Sequence, residues 1–185
     1  RTARTAVPVG ALAIAVYGCI DYVLSTIYML LQGVGDGSQP LISVYRGAGD
    51  ADAVRRLRNT NYLVAIAFGF VGLGIMFAVR NAIPLLFGAS DIVKPVIAYA
   101  LPVFSICYIF YGFTHTTTSY FYAVDDSRSS NTLVVAESII VCVVVFIMGL
   151  LFQVDGIWFS PTVLQMLLCI IAGTLLYRRH KAQKE

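Results

Sequence analysis

Charge is scarce in this sequence: Asp, Glu, Lys and Arg make up 12% of its 185 residues, about half the share of an ordinary soluble domain. With 58% hydrophobic residues, such a chain falls in the membrane class. Histidine is nearly absent, with only His115 and His180, so a metal centre or a catalytic triad has almost nothing to build on. The four cysteines, Cys19, Cys107, Cys142 and Cys169, are scattered through apolar runs without CxxC or other ligand spacing. They read as small apolar residues among helices. GxGxxG, GKS or GKT, HExxH and GxSxG are all missing, so the sequence predicts no phosphate-binding loop, no catalytic site, no metal and no cofactor. The chain opens at Arg1 directly into an apolar run with no signal-peptide pattern, which reads as a piece of a longer protein.

What is present is a series of long apolar stretches. A membrane-spanning helix needs about 20 predominantly apolar residues, and five stretches meet or approach that, at about 6–34, 61–79, 95–122, 132–152 and 156–177. The predicted fold is an all-α integral membrane bundle. The first and third stretches are long and contain polar residues, so they are expected to tilt, kink or line something wet. The formal charge of +3 does not point to nucleic acid, because the basic residues sit between the spans and at the C-terminus. With a cytoplasmic C-terminus, the inner segments hold nine basic residues (Arg46, Arg55, Arg56, Arg58, Arg128, Arg178, Arg179, Lys181, Lys184) against four outside (Arg1, Arg4, Arg80, Lys94). Positive charge favours the inner side, which sets this direction. In the link at 46–60, Asp50 can cap a short helix at the inner surface, with Asp52 at its start and Arg55, Arg56 and Arg58 at its end.

Polar residues at membrane depth are the candidate functional groups. At about 100° per residue, Tyr17, Ser25, Tyr28, Gln32 and Gln39 fall within about 40° of Asp21, and Asp36 about 60° away. A carboxylate facing lipid costs several kcal/mol, so this stripe is expected to face protein or a water-filled cavity; the alternative is interhelical hydrogen bonding alone. On the third span, Tyr108, Tyr111, His115, Thr118 and Tyr122 share roughly 80° of arc. Such a face suits a flat, lipophilic, cationic ligand, or else packs as an aromatic stripe. Glu137 is expected to snorkel or pair with Arg128. Asp125, Asp126 and Asp155 read as solvated loop residues.

The run "GDGSQPLISVYRGAGDADAVRRLR" after a long apolar helix resembles the multidrug and toxic compound extrusion (MATE) family, and "PLLFGASDIV" and "GIWFSPTVLQMLLCIIAGTLLYRR" follow in the matching order. The resemblance implies helices 8–12 of a twelve-helix transporter, with residues 1–185 forming a partial C-terminal lobe and the N-terminal lobe supplied by the rest of the same protein. It further implies efflux of a drug-like or organic cation across the plasma membrane, in exchange for H⁺ or Na⁺. Asp21 and Asp36 are then the candidates for ion coupling. Tyr17, Tyr28, Gln32, Gln39, Tyr108, Tyr111, His115 and Thr118 are the candidates for the substrate cavity. Gly33, Gly35 and Gly37, which permit close helix approach, and Pro40, which lacks an N–H, are the candidates for a hinge. The other readings are a flippase for a lipid-linked sugar carrier and a non-transporting membrane scaffold.

Overall fold

The computed structural model describes residues 9–91 and 93–182. Arg1, Arg4 and Lys184, the first residues of the span expected from about 6, and the Asp155 side chain lie outside what is described. The described chain is an all-α bundle: α1 (Val9–Gly47), α2 (Ala51–Val79), a single turn α3 (Ile83–Leu86), α4 (Lys94–Ser105), α5 (Cys107–Ala123) and α6 (Ser127–Ala182). Among the described residues, four stretches are long and apolar enough to cross a membrane: Ala51–Val79, Lys94–Ala123, Ser127–Phe152 and Trp158–Lys181.

α1 runs past its expected end near 34 and through Gly33, Gly35, Gly37 and Pro40 without a break. In a hydrocarbon setting a helix that opened there would leave backbone N–H and C=O groups without water to bond, so continuing costs less than breaking. The helix stops where a left-handed residue is available. Gly49 has φ +76, its N–H donates to the Arg46 carbonyl at 3.0 Å, and the Asp50 N–H donates to the Tyr45 carbonyl at 3.0 Å. That is a Schellman stop. Asp50 then caps the next helix by accepting from the Ala53 N–H at 2.9 Å. The expected short surface helix is therefore the first turns of α2 itself. Nothing between Ala51 and Leu63 is Gly or Pro, so a helix once capped has no reason to end.

The same device closes α5. Asp125 takes the left-handed position with φ 57, its N–H donates to Tyr122 at 3.1 Å, and the Asp126 N–H donates to Phe121 at 2.9 Å. Asp126 then accepts from the Ser129 N–H at 3.2 Å to cap α6.

α6 doubles back on itself. Arg179 near its end donates to Asp126 just before its start, at 2.7 Å, whereas a straight helix would separate them by about 80 Å. The reversal falls between its two apolar arms, Ser127–Phe152 and Trp158–Lys181. Arg179 thereby pins the end of the second arm to the elbow where the first begins.

α5 is the centre of the bundle, packed on by α1, α2 and α6. Half of the apolar window of α4–α5 is buried, against 11% for the first arm of α6, so the former is enclosed and the latter presents its side chains outward. α4 and α5 together make one span, broken at Ile106 one turn after Pro102. Proline supplies no N–H and crowds the carbonyl four residues back; the Ser105 hydroxyl takes up the Leu101 carbonyl there, at 2.6 Å. α2 and α5 approach each other closely at two glycines. A Cβ on Gly112 would lie 2.9 Å from the Ala65 carbonyl oxygen, and one on Gly69 would lie 3.0 Å from Ile109 Cα. Backbone meets backbone there, the contact that small residues permit between helices in lipid.

Candidate functional site

The two polar faces read from the sequence meet each other. α1 lies along α5 so that Tyr28, Gln32 and Asp36, each about one turn further on, reach Cys107, Tyr111 and His115 in turn. The Tyr28 hydroxyl is 2.8 Å from Cys107 Sγ, and its ring stands edge-on to Tyr108 and to Tyr111, 4.4 Å from the latter's centroid. The Gln32 amide donates to the Tyr111 hydroxyl at 2.7 Å. Asp36 Oδ1 receives three groups: His115 Nε2 at 3.1 Å, the Ser119 hydroxyl at 3.0 Å and the Gln39 amide at 3.2 Å. His115 stacks on Tyr111 with centroids 5.6 Å apart. Gly35 makes this approach possible, because a Cβ there would sit 2.8 Å from Ser119 Oγ.

Toward the start of α1 a cavity opens between α1, Phe104 of α4 and the two arms of α6. Asp21 is exposed, has no hydrogen-bond partner among the described residues, and lines a cavity of about 180 Å³ with Tyr17, Tyr28, Phe104, Val144, Ser160 and Leu164. Tyr17 packs edge-on against Phe104, which in turn meets Trp158 of α6. A second, more open hollow of about 370 Å³ lies on the other side of Tyr28 and Leu164. Ser25, Gln32, Tyr111, Glu137 and Gln165 line it. Tyr28 is thus a partition between two cavities, each with one carboxylate on its wall.

The remaining candidates fall outside these cavities. The Thr118 hydroxyl donates to the Thr114 carbonyl within α5 at 3.1 Å, and Tyr108 donates to the Leu24 carbonyl at 3.3 Å. A Cβ at Gly33 or Gly37 would meet nothing within 4 Å, and Pro40 is exposed. Glu137 faces the second hollow rather than pairing with Arg128. Asp126, read as solvated, is a helix cap and an ion-pair partner.

Sequence reasoning missed Gln165. It is 4% exposed, its Oε1 has no hydrogen-bond partner, and it faces the hollow that Glu137 lines. A lone amide in the middle of "SPTVLQMLLCII" is itself an intramembrane polar signal. The walls supplied by Phe104, Trp158 and Leu164 had no such signal, since apolar residues in apolar spans look alike.

No curated protein and no solved structure matches the chain. A family model, MatE, matches residues 4–148, from α1 through most of the first arm of α6, and the chain belongs to that family of membrane transporters.

Proposed function

We propose that this chain is most of the C-terminal lobe of a secondary active exporter that moves a drug-like or organic cation out across the plasma membrane in exchange for inward H⁺ or Na⁺. The C-terminus is then cytoplasmic, and the other lobe comes from the rest of the same protein. One observation carries the reading: the Asp21 carboxylate, with no hydrogen-bond partner among the described residues, stands on the wall of an aromatic cavity. A carboxylate on a cavity wall among membrane-spanning helices marks an ion or proton pathway. Its neutralisation shifts the balance between outward- and inward-facing states by as much as the ion's affinity differs between them. Tyr17, Tyr28 and Phe104 present ring faces and edges that suit a flat cation.

Asp36 is a second coupling candidate of a different kind, since a proton or ion there would compete with the two hydrogen bonds, from His115 and Ser119, that tie α1 to α5. The free space around Gly33, between the two carboxylates, and around Gly37, just past Asp36, supports bending of α1 there, and Pro40 removes one helical bond just beyond. The acidic walls of both cavities favour a cation over the anionic carrier that a flippase would move. The closed contacts from Tyr28 to Asp36 suit a scaffold, but the open cavity at Asp21 does not.

The test is efflux of a fluorescent organic cation from cells expressing the full-length protein under an imposed pH or Na⁺ gradient. Gradient-driven efflux is expected in wild type and is expected to vanish in Asp21→Asn at equal expression. Undiminished efflux in that variant would move coupling away from Asp21, and none in wild type would reject the exporter reading.

A further inference from the structure

At the α1–α2 elbow, on the end of the bundle away from Asp21, three arginines converge on one cavity. It measures about 340 Å³ and is lined by Arg46, Arg55, Arg58 and Tyr120 above Val54 and Val124. Arg46 sits in the last turn of α1, and Arg55 and Arg58 on the first turns of α2. The Schellman stop at Gly49 holds these two helix ends against each other.

Carboxylates near this cavity do not neutralise it. Asp50 is engaged in capping α2. Asp52 approaches Arg55 only to 4.0 Å, with both side chains more than half exposed, and such pairs contribute little. Residues 46–58 hold four Arg against two Asp, a surplus of two positive charges. Part of the site is held in place in advance: the Arg58 guanidinium lies 5.5 Å from the centroid of the Tyr120 ring and donates twice to Asn59 Oδ1, at 3.2 and 3.0 Å. Arg179 reaches the same ring at 5.7 Å, but Asp126 balances its charge.

We propose that this cavity binds the phosphate-bearing headgroup of an anionic membrane lipid. Guanidinium forks match phosphate oxygens bidentately. The site lies at the ends of helices that are long and apolar enough to span a bilayer, which is the level of lipid headgroups. Its floor, Val54 and Val124, is buried and apolar, so a headgroup can place phosphate among the arginines and the glycerol end of its chains against the valines. A soluble phosphate would use only the upper half. Basic cavities between helix ends are where anionic headgroups settle, with about fivefold in affinity per arginine. The inference goes beyond transport and does not depend on it.

The experiment is lipid retention by native mass spectrometry together with thermal unfolding of the full-length protein in detergent. It compares phosphatidylglycerol, phosphatidylcholine of the same chains, and inorganic phosphate. Wild type is expected to retain and be stabilised by phosphatidylglycerol over phosphatidylcholine. Arg46→Gln with Arg55→Gln should weaken that binding roughly twentyfold, whereas the charge-matched pair Arg56→Gln with Arg178→Gln, outside the cavity, should keep most of it. If the first pair fails to fold, Arg55→Lys serves, and its phosphatidylglycerol binding should fall severalfold with phosphatidylcholine unchanged. The proposal is overturned by an unaltered lipid preference in the cavity variants or by equal loss in the charge-matched pair. Equal stabilisation by inorganic phosphate would likewise overturn the lipid as ligand.

Discussion

Replacing Asp126 tests whether one side chain both starts α6 and fastens its end. Its Oδ1 caps the helix at the Ser129 N–H, and its Oδ2 accepts the Ser129 hydroxyl at 3.0 Å and Arg179 at 2.7 Å. Losing an N-cap to alanine costs about 1 kcal/mol. The Arg179 side chain is only 16% exposed, and its Nε already lacks a partner, so removing the carboxylate strands a mostly buried cation. A fully buried pair broken in this way costs about 3–5 kcal/mol; Asp126 keeps 25% of its exposure, and solvent screening lowers the figure to about 1–2 kcal/mol. Asp126→Ala should therefore lose about 2–3 kcal/mol in all. Asp126→Asn, which still caps, should lose only about 1–2 kcal/mol. The assay is equilibrium unfolding in mixed micelles, with Arg179→Met completing a double-mutant cycle. Burial alone would push the Asp126 carboxyl up, but the Ser129 N–H and hydroxyl and the Arg179 guanidinium together hold it below its ordinary value. A depressed carboxyl contributes fully above the ordinary aspartate range, near about pH 4, and loses its contribution as pH falls through the folded-state value. Wild type and Asp126→Asn should differ most at neutral pH and converge in acid. Equal stability of all three proteins at pH 7, or a gap that persists in acid, would refute the reasoning.

Gly112→Val would drive a branched side chain into the Ala65 carbonyl of α2, where even a Cβ sits at 2.9 Å; folded yield should fall and stability drop by about 1–3 kcal/mol or more. Cys107 is buried behind the Tyr28 hydroxyl, whereas Cys142 is exposed. Cys107 should therefore resist a water-soluble maleimide in wild type and label at least severalfold faster in Tyr28→Ala, and unchanged labelling would mean that Tyr28 does not guard it. Gln165→Leu removes a buried unpaired amide oxygen, so it should raise stability by about 1 kcal/mol while lowering efflux if the amide serves the hollow. A loss of stability instead would show that Oε1 is satisfied.

Which helix faces are polar was legible because lipid as a solvent leaves polar groups only one direction to point, and a 3.6-residue period then sorts them onto a face. Which groups would pair was not. The Tyr28–Cys107 and Asp36–His115 contacts depend on how α5 is rotated and how far it slides along α1. That approach depends on glycines, Gly35 against Ser119 between α1 and α5 and Gly69 and Gly112 between α2 and α5, which carry no polar signal. Asp50 was readable as a cap, but the helix it starts was cut too short, because composition changes at the membrane surface while helix geometry does not. Asp126 looked solvated for a related reason. Its partner Arg179 is far along the chain and is brought back only by the reversal of α6, which hydropathy marks as two spans without indicating where their ends land.

The contacts between α1 and α5 bear on how the bundle could move. They form a row that starts at the break near Ile106, where Tyr28 docks on Cys107, and runs through Gln32 to Asp36. On the other side of Tyr28, α1 borders the cavity around Asp21, whose facing walls are Phe104 of α4 and the two arms of α6. Parting α1 from α5 would open this row, losing the Tyr28, Gln32, His115 and Ser119 bonds at about 1 kcal/mol each. The total, about 4 kcal/mol, corresponds to roughly a thousandfold difference in affinity. That is within reach of a single ion or proton bound in one state and not the other, and Asp36 holds two of the four bonds, the largest share of any one side chain in the row.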